Sequence, residues 1–389
     1  MKVLVVCSTL DLKYKLGCTP SWWQLLKALH ETGNEVIAVP YLGDPVESLW
    51  WRTYPNPCAS ESKCYNYFLD CRKKIGKLSP KNENRDSLIN NIIDRHVRKK
   101  WTSHILSILE KEKNIDAVFF FSIPISHISG IAEKIRNRYD IPVIYYEGDM
   151  PIGLPHFVKD SGYKFSYYTG ADLSEFDAFF SNSKGVIPEL KTMGARNIRT
   201  LYYAADPDLF KPLNLPKDID ISFFGYGTGF REKWMAAMIA DASKKMIKNK
   251  FVIGGKDLRI DLGNADFIGD LSYSAFRKFC CGSKICLNIT RLSHTSVYAS
   301  SSARPFELAA FGACIVSNPY LGIEEWFEPG KELVVAKNEA EIVPIYEELL
   351  DSDDEREKMG ERARARILKD HTYQKRAEEI ISVLKGIKP

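Results

Sequence analysis

Short runs of apolar, β-branched and aromatic residues recur along this chain. Each is followed by a polar or glycine-bearing loop and then by a segment of helical periodicity. In the first half residues 2–7 (KVLVVC), 35–39, 116–121 (DAVFFF), 142–146 (PVIYY), 178–181 (AFFS) and 198–202 read this way. In the second half 219–224 (IDISFF), 251–253, 266–268, 285–289 (ICLNI) and 313–317 (ACIVS) repeat the pattern. Continuously apolar strands are buried on both faces, and strands separated by helices are joined by crossovers, which makes their sheets parallel. An α/β chain is therefore expected, and with it a location for chemistry. Polar residues just past the carboxyl ends of parallel strands are where open α/β sheets place their ligands.

A chain of 389 residues is long enough for two such domains. Residues 204–217 carry Asp206-Pro207-Asp208, Pro212 and Pro216 with little periodicity, and read as the connection between them. The expected division is a first domain over 1–205, a linker over 206–217, a second domain over 218–371 and a final helical segment within 372–389. An insertion at about 42–100 breaks the strand–helix rhythm. Its first half is aromatic (Trp50, Trp51, Tyr54, Tyr65, Tyr67, Phe68), and residues 72–100 hold ten lysines and arginines against three acids. Such a run is either a solvated helical face or a surface for an anionic or lipid-linked partner, since each basic residue near anionic lipid contributes about 1 kcal/mol.

Net charge, +4 on the whole chain, does not point to a nucleic-acid partner. The opening MKVLVVCSTL reads as a first strand rather than a leader, and no apolar run approaches a membrane span. Nine cysteines, an odd number, fall at spacings that fit no metal knuckle and are expected as reduced thiols. The expectation is a cytoplasmic protein, with peripheral contact at the inner membrane face if the basic insertion is used in that way.

Two stretches carry anion-binding chemistry. Residues 300–319 (SSSARPFELAAFGACIVSNP) place a small-polar loop before a short amphipathic helix with Pro305 in its first turn, stopped by Gly312 and followed by a strand. Ser302, Arg304 and the first helical amides converge as an anion seat, and Glu307, one turn in, reaches a hydroxyl beside that anion. Residues 225–231 (GYGTGFR) put Gly225, Gly227 and Gly229 between a strand and a helix, with Arg231 supplying a planar guanidinium. Neither stretch has the Gly–Lys–Ser/Thr of a phosphate-binding loop for nucleoside triphosphates. The loop after the first strand lacks the three-glycine dinucleotide signature. Two anion seats in one domain suit a diphosphate. On the other domain, the loop after 142–146 offers Glu147 and Asp149, with His156 further on. Asp351-Ser352-Asp353 sits between two helices and reads as a cap rather than a metal site.

These pieces together resemble the glycosyltransferases of the GT-B architecture, most closely over residues 176–371. Residues 202–212 (YYAADPDLFKP) are similar to the run that ends the N-terminal domain in that family. Phe223-Phe224-Gly225 with Arg231 resembles its phosphate loop. Arg304-Pro305-Phe306-Glu307 through Asn318, with Gly330-Lys331-Glu332, resembles the donor segment of the group-one transferases, in particular the spore-maturation branch with its R-x-F-E pattern.

The resemblance implies two facing Rossmann-like domains, a donor site in the cleft between them, and a last helix that crosses back to the first domain. Glu307 matches a glutamate that bonds the ribose hydroxyls, and Arg231 and Arg304 match cations that balance the diphosphate. Ile268 and Gly269 lie where the base packs, with Asn288 and Arg291 on the sugar side. Glu147 and Asp149 occupy the place of a catalytic or orienting residue. The implied reaction moves a hexosyl group from a UDP- or GDP-sugar to a hydroxyl of a glycan, a lipid-linked sugar or another acceptor, with no metal and no cofactor. One departure stands out: many retaining relatives carry another glutamate eight positions before the first, and here that position is Ala299. A nucleotide-sugar 2-epimerase of the same architecture, or a degenerate sugar-binding scaffold, are the alternatives.

Overall fold

The structure, a computed structural model, describes residues 1–10, 21–61, 83–154, 168, 171–227, 231–256, 258 and 260–387, and of 83–93 the backbone alone. The first domain is built on strands β1 (Lys2–Thr9), β2 (Glu35–Leu42), β3 (Arg52–Thr53), β4 (Ala117–Phe121), β5 (Val143–Glu147), β6 (Ala178–Ser181) and β7 (Ile198–Thr200). The second is built on β8 (Ile219–Tyr226), β9 (Phe251–Lys256), β10 (Asp266–Gly269), β11 (Ser283–Asn288), β12 (Cys314–Ser317) and β13 (Val334–Val335). Among the described residues they form a seven-stranded sheet in the order β3-β2-β1-β4-β5-β6-β7 and a six-stranded sheet in the order β10-β9-β8-β11-β12-β13. Neighbours pair in parallel throughout both.

Helices cover both faces of each sheet, which is why β4 (AVFFF) and β5 (VIYYE) are buried at every residue. On the first sheet Trp101, Ile105 and Ile108 of helix Glu83–Lys111 and Ile131 and Ile135 of helix Ile131–Tyr139 pack one face. The other face is covered by Leu25 and Leu29 of helix Ser21–Glu31 together with Ala377, Ile380 and Leu384 of helix Tyr373–Gly386, the last of the chain. In both sheets the strand order reverses once, between β1 and β4 and between β8 and β11. The loops leaving those strands part in opposite directions and open a crevice at each reversal.

Several local expectations change. The aromatic half of the insertion is partly core: Trp51 is buried against Trp23, and Arg52–Thr53 adds an edge strand to β2. Arg52 and Tyr54 both bond Glu112, at 2.6–3.0 Å, which anchors the insertion to the sheet. The helix expected over 102–113 is the end of one 29-residue helix that starts at Glu83. Part of its basic character is spent locally, since Arg98 donates to the Ser126 carbonyl and Lys100 pairs with Glu61. The helix expected over 125–138 is broken at Gly130, whose φ of 76° starts a fresh helix while its N–H is taken by Glu175. The helical periodicity over residues 231–247 is interrupted, since its middle, Ala236–Asp241, is a π turn. Residues 62–82, which hold Tyr65, Tyr67, Phe68 and much of the basic run, lie outside the described residues, as does His156. No described helix is long and apolar enough to cross a membrane.

The connection between the domains is held by a buried charge. Asp206, 1% exposed, accepts from Asp208 N and Leu209 N, which turns the chain, and its other oxygen lies 2.7 Å from Lys27 Nζ. Gln24, one helical turn before Lys27, accepts from Asp206 N. A carboxylate stripped of water at this point needs the ammonium, and the ammonium needs it. Asp206→Ala is expected to lower stability by about 1–3 kcal/mol, short of the full cost of a stranded buried ion because Lys27 keeps Glu31 at 2.8 Å. A urea titration followed by tryptophan fluorescence should show the transition moving to lower denaturant.

Candidate active site

On the first domain the site is built by the loop that leaves β5. Glu147, at the strand end, is buried and receives three donors: Ser122 Oγ at 2.9 Å and Asp149 N at 3.1 Å on Oε1, and Tyr168 OH at 2.9 Å on Oε2, while Tyr145 OH, 3.3 Å from Oε2, gives its proton to the Ile123 carbonyl at 2.6 Å. Burial raises the pKa of this carboxyl, and the hydroxyls of Ser122 and Tyr168 oppose the rise. With its acceptor sites occupied, Glu147 shapes the loop and presents Asp149. Gly148 is pressed against Phe121, 3.1 Å from where a Cβ would stand, and its carbonyl accepts from Tyr203 OH at 2.7 Å. A pocket of about 290 Å³ opens here, at the β1/β4 reversal, with Ser8, Trp22, Ser122, Asp149 and Tyr203 among its walls.

On the second domain the β8/β11 reversal gathers three arginines. Arg231 follows β8, donates from Nε to the Ile289 carbonyl at 3.0 Å, and stands at the N-terminus of helix Glu232–Met235. Its pKa is pushed down to about 9 by burial first, and then by the positive charges of Arg291 and Arg304. Arg304 lies over the Phe276 ring at 4.4 Å and the Phe224 ring at 5.5 Å, and meets Glu307 at 2.9 Å. That contact lacks hydrogen-bond alignment, so Nη1 is a buried donor without a hydrogen-bond partner among the described residues. Glu307 is itself buried, its pKa raised by desolvation and drawn back by Arg304. Ser302 is the N-cap residue of helix Ala303–Ala310 but makes no capping bond; its hydroxyl lies 3.4 Å from Thr290 Oγ1. The first amides of that helix are thus not taken by its cap, as an anion seat requires.

Glycines bring backbone close at the same edge. Gly225 and Gly255 pair across β8 and β9, where a Cβ on Gly255 would fall 1.8 Å from the Gly225 carbonyl oxygen. Gly227 N bonds the Lys256 carbonyl, while residues 228–230, with Gly229, lie outside the described residues. Ile268 is exposed on edge strand β10, and Gly269 follows with φ 74°. Asn288 departs from the sugar-side place expected for it. It is fully buried, its amide taken by Ser317 Oγ at 2.9 Å and Thr290 Oγ1 at 3.1 Å, so it ties the ends of β11 and β12 together.

The two edges meet. Arg291 Nη2 lies 2.6 Å from Asp149 Oδ1, and His294 Nε2, from the short helix Leu292–Thr295, lies 3.5 Å from the same oxygen. Burial alone would raise the Asp149 pKa, but Arg291 and His294 hold it down at about 2. Neither His294 nor the Gly254-Gly255 pair was singled out from sequence. A lone histidine in a polar loop carries no signal, whereas two glycines closing an apolar strand are a signal of close backbone approach that was open to reading. Trp22 and Tyr203 enter the pocket from elements that read simply as helix and linker.

Comparison with known proteins agrees with this architecture. Residues 231–382 match a family described as glycosyl transferase-like. No curated protein matches the chain in sequence. Sucrose-phosphate synthase from Thermosynechococcus elongatus superposes with a TM-score of 0.67 at 12% identity, covering 99% of each chain. The E. coli trehalose-6-phosphate structure bound with UDP-2-fluoro glucose gives 0.67 at 14%, covering 100% of this chain and 99% of that one. Anabaena HepE in complex with UDP-glucose gives 0.63 at 11%, with 100% of both chains covered. At these identities the likeness is one of fold, and the fold is GT-B.

The Asp149 clasp has a pH signature. A carboxyl whose folded-state pKa is depressed adds stability that is present above its unfolded value, 3.8, and lost as pH falls through about 2. The melting-temperature difference between wild type and Asp149→Asn is expected to be constant above about pH 4 and to shrink below it. Thermal scans across pH 3–8 check this.

Proposed function

We propose that this protein transfers a hexosyl group from a nucleoside diphosphate sugar to an acceptor hydroxyl. One observation carries the reading: Arg231, Arg291 and Arg304 converge at the strand reversal of the second sheet, opposite a carboxylate and a pocket on the first. Three guanidiniums brought together in a partly desolvated place repel one another, and a dianionic or trianionic diphosphate relieves that repulsion.

In this reading the diphosphate lies against Arg231, Arg304 and the first amides of helix Ala303–Ala310. Glu307 accepts from the ribose hydroxyls, and the base packs near Ile268 and Gly269. Negative charge grows on the diphosphate as the glycosidic bond breaks, so fixed cations stabilise the transition state more than the ground state. Asp149 orients the acceptor hydroxyl or takes its proton, with the acceptor ring in the pocket beside Trp22 and Tyr203. The arginines do the work that a divalent cation does elsewhere, so no metal is required. UDP is the favoured donor base, because relatives of the same fold were solved with UDP-glucose and UDP-2-fluoro glucose. The first domain, to about residue 205, takes the acceptor and the second, from about 218, takes the donor.

Calorimetry against UDP and GDP tests the reading. Wild type is expected to bind one of them and Arg231→Ala to lose that binding. Glu307→Ala is expected to weaken it by about 1.5–3 kcal/mol, the scale of a charge-assisted hydrogen bond. Failure of wild type to bind either diphosphate would falsify the proposal. Sugar release from the donor should persist in EDTA, and a requirement for added magnesium or manganese would remove the metal-free part.

A further inference from the structure

Arg291 stands between two anion sites. One guanidinium nitrogen is committed to Asp149 of the other domain at 2.6 Å, and its charge is close enough to Arg231 to depress that residue's pKa. Asp149 is likewise shared. It is a wall of the first domain's pocket, and its Oδ1 receives Arg291 and lies 3.5 Å from Nε2 of the buried His294. The loop that carries Arg291 and His294 is firmly held: the Arg291 carbonyl accepts from His294 N at 3.0 Å and Thr295 N at 3.1 Å. Its neighbour Thr290 is tied by its backbone N–H to Asn318 and by its hydroxyl to Asn288. The carboxylate of Asp149 is therefore the internal counter-ion of the arginine cluster.

Building on the donor reading above, we infer that Arg291 serves two anions in turn, and that a diphosphate seated against Arg231 and Arg304 draws it away from Asp149. A diphosphate offers more charge and more acceptor oxygens than one carboxylate, so it wins the competition for a guanidinium. Asp149 then turns its released oxygen to the pocket, where an acceptor hydroxyl is recognised. The exchange couples the two substrates through one side chain. The donor binds first, and the acceptor site acquires its charged hydrogen-bond acceptor only afterwards.

This arrangement predicts an effect opposite to that of ordinary site substitutions. Asp149→Asn keeps the shape but no longer competes for Arg291, so the full-length variant should bind UDP (or GDP, whichever wild type binds) about five-fold more tightly. Transfer to acceptor should fall in the same variant. Arg291→Gln should weaken binding, and in that background Asp149→Asn should have no further effect, because the coupling runs through Arg291. Matching melting curves establish that each variant is folded. Unchanged or weaker binding by Asp149→Asn overturns the exchange. Equal tightening with and without Arg291 also overturns it, because plain repulsion between carboxylate and phosphate then suffices. Absence of diphosphate binding in wild type instead overturns the donor reading itself.

Discussion

The site exists because one short antiparallel seam joins two separately built sheets. Residues just past β6 meet residues just before helix Ala303–Ala310. Ser183 bridges Ser300, and Lys184 N and Gly185 N donate to the carbonyls of Ala299 and Tyr298. Asn182 and Ser301 exchange three bonds: Ser301 N and Oγ donate to the Asn182 carbonyl, and Asn182 Nδ2 donates to the Ser301 carbonyl. The Asn182 side chain also accepts from Met150 N, in the loop that carries Asp149. Ser301 Oγ accepts from Tyr203 N, at the entry to the linker. A single asparagine and a single serine thus fix the loop after β5, helix Ala303–Ala310 and the connection between domains relative to one another. Buried amides and hydroxyls satisfied in this way hold geometry tightly, because any shift leaves them unpaired.

That dependence explains what the sequence revealed. Parallel sheets, strand ends and the polar residues that follow them are local, so Glu147, Asp149, Arg231, Arg304 and Glu307 could be placed at the right edges from periodicity and loop composition. What joins the edges is not local. Asn182 and Ser301 are 119 residues apart, Lys27 and Asp206 sit in elements that read as an ordinary helix and an ordinary linker, and His294 matters only because Asp149 arrives from the other domain. Edge strand β3 is two residues long and is stabilised by Glu112 at the far end of a helix, so no alternation could mark it. Glu147 shows the converse limit. Its position at a strand end is legible, but the donors that hold it there come from Ser122, Asp149 and Tyr168, on three separate stretches of chain.

The last helix extends the same logic to the start of the linker. Arg376 donates to the carbonyls of Tyr202 and Tyr203 and to His371 Nδ1, while the His371 carbonyl accepts from Ala205 N. Burial and the adjacent guanidinium push the His371 pKa down to about 3, so it remains a neutral acceptor for Arg376. A guanidinium that replaces lost water with backbone carbonyls costs little to bury, and it ties the chain's end to the crossing point between domains. Arg364 does the equivalent for helix Ala303–Ala310, donating to the Ala310 carbonyl at its C-terminal end, where positive charge complements the helix dipole.

Ala299 acquires its meaning from the seam as well. It is the position at which the family resemblance directs attention to a second carboxylate, and it is fully buried, with φ 47°. Its N–H donates to the Leu321 carbonyl, its carbonyl accepts from Lys184 N, and Gly322 is so close that a Cβ there would fall 2.3 Å from Ala299 N. A glutamate in this place would carry a charge and extra volume into a junction where Ala299 is packed among apolar side chains, which is costly. The alanine is therefore part of how the domains are joined. The charges that the seam brings together at the two strand reversals are instead those of the arginine cluster and Asp149.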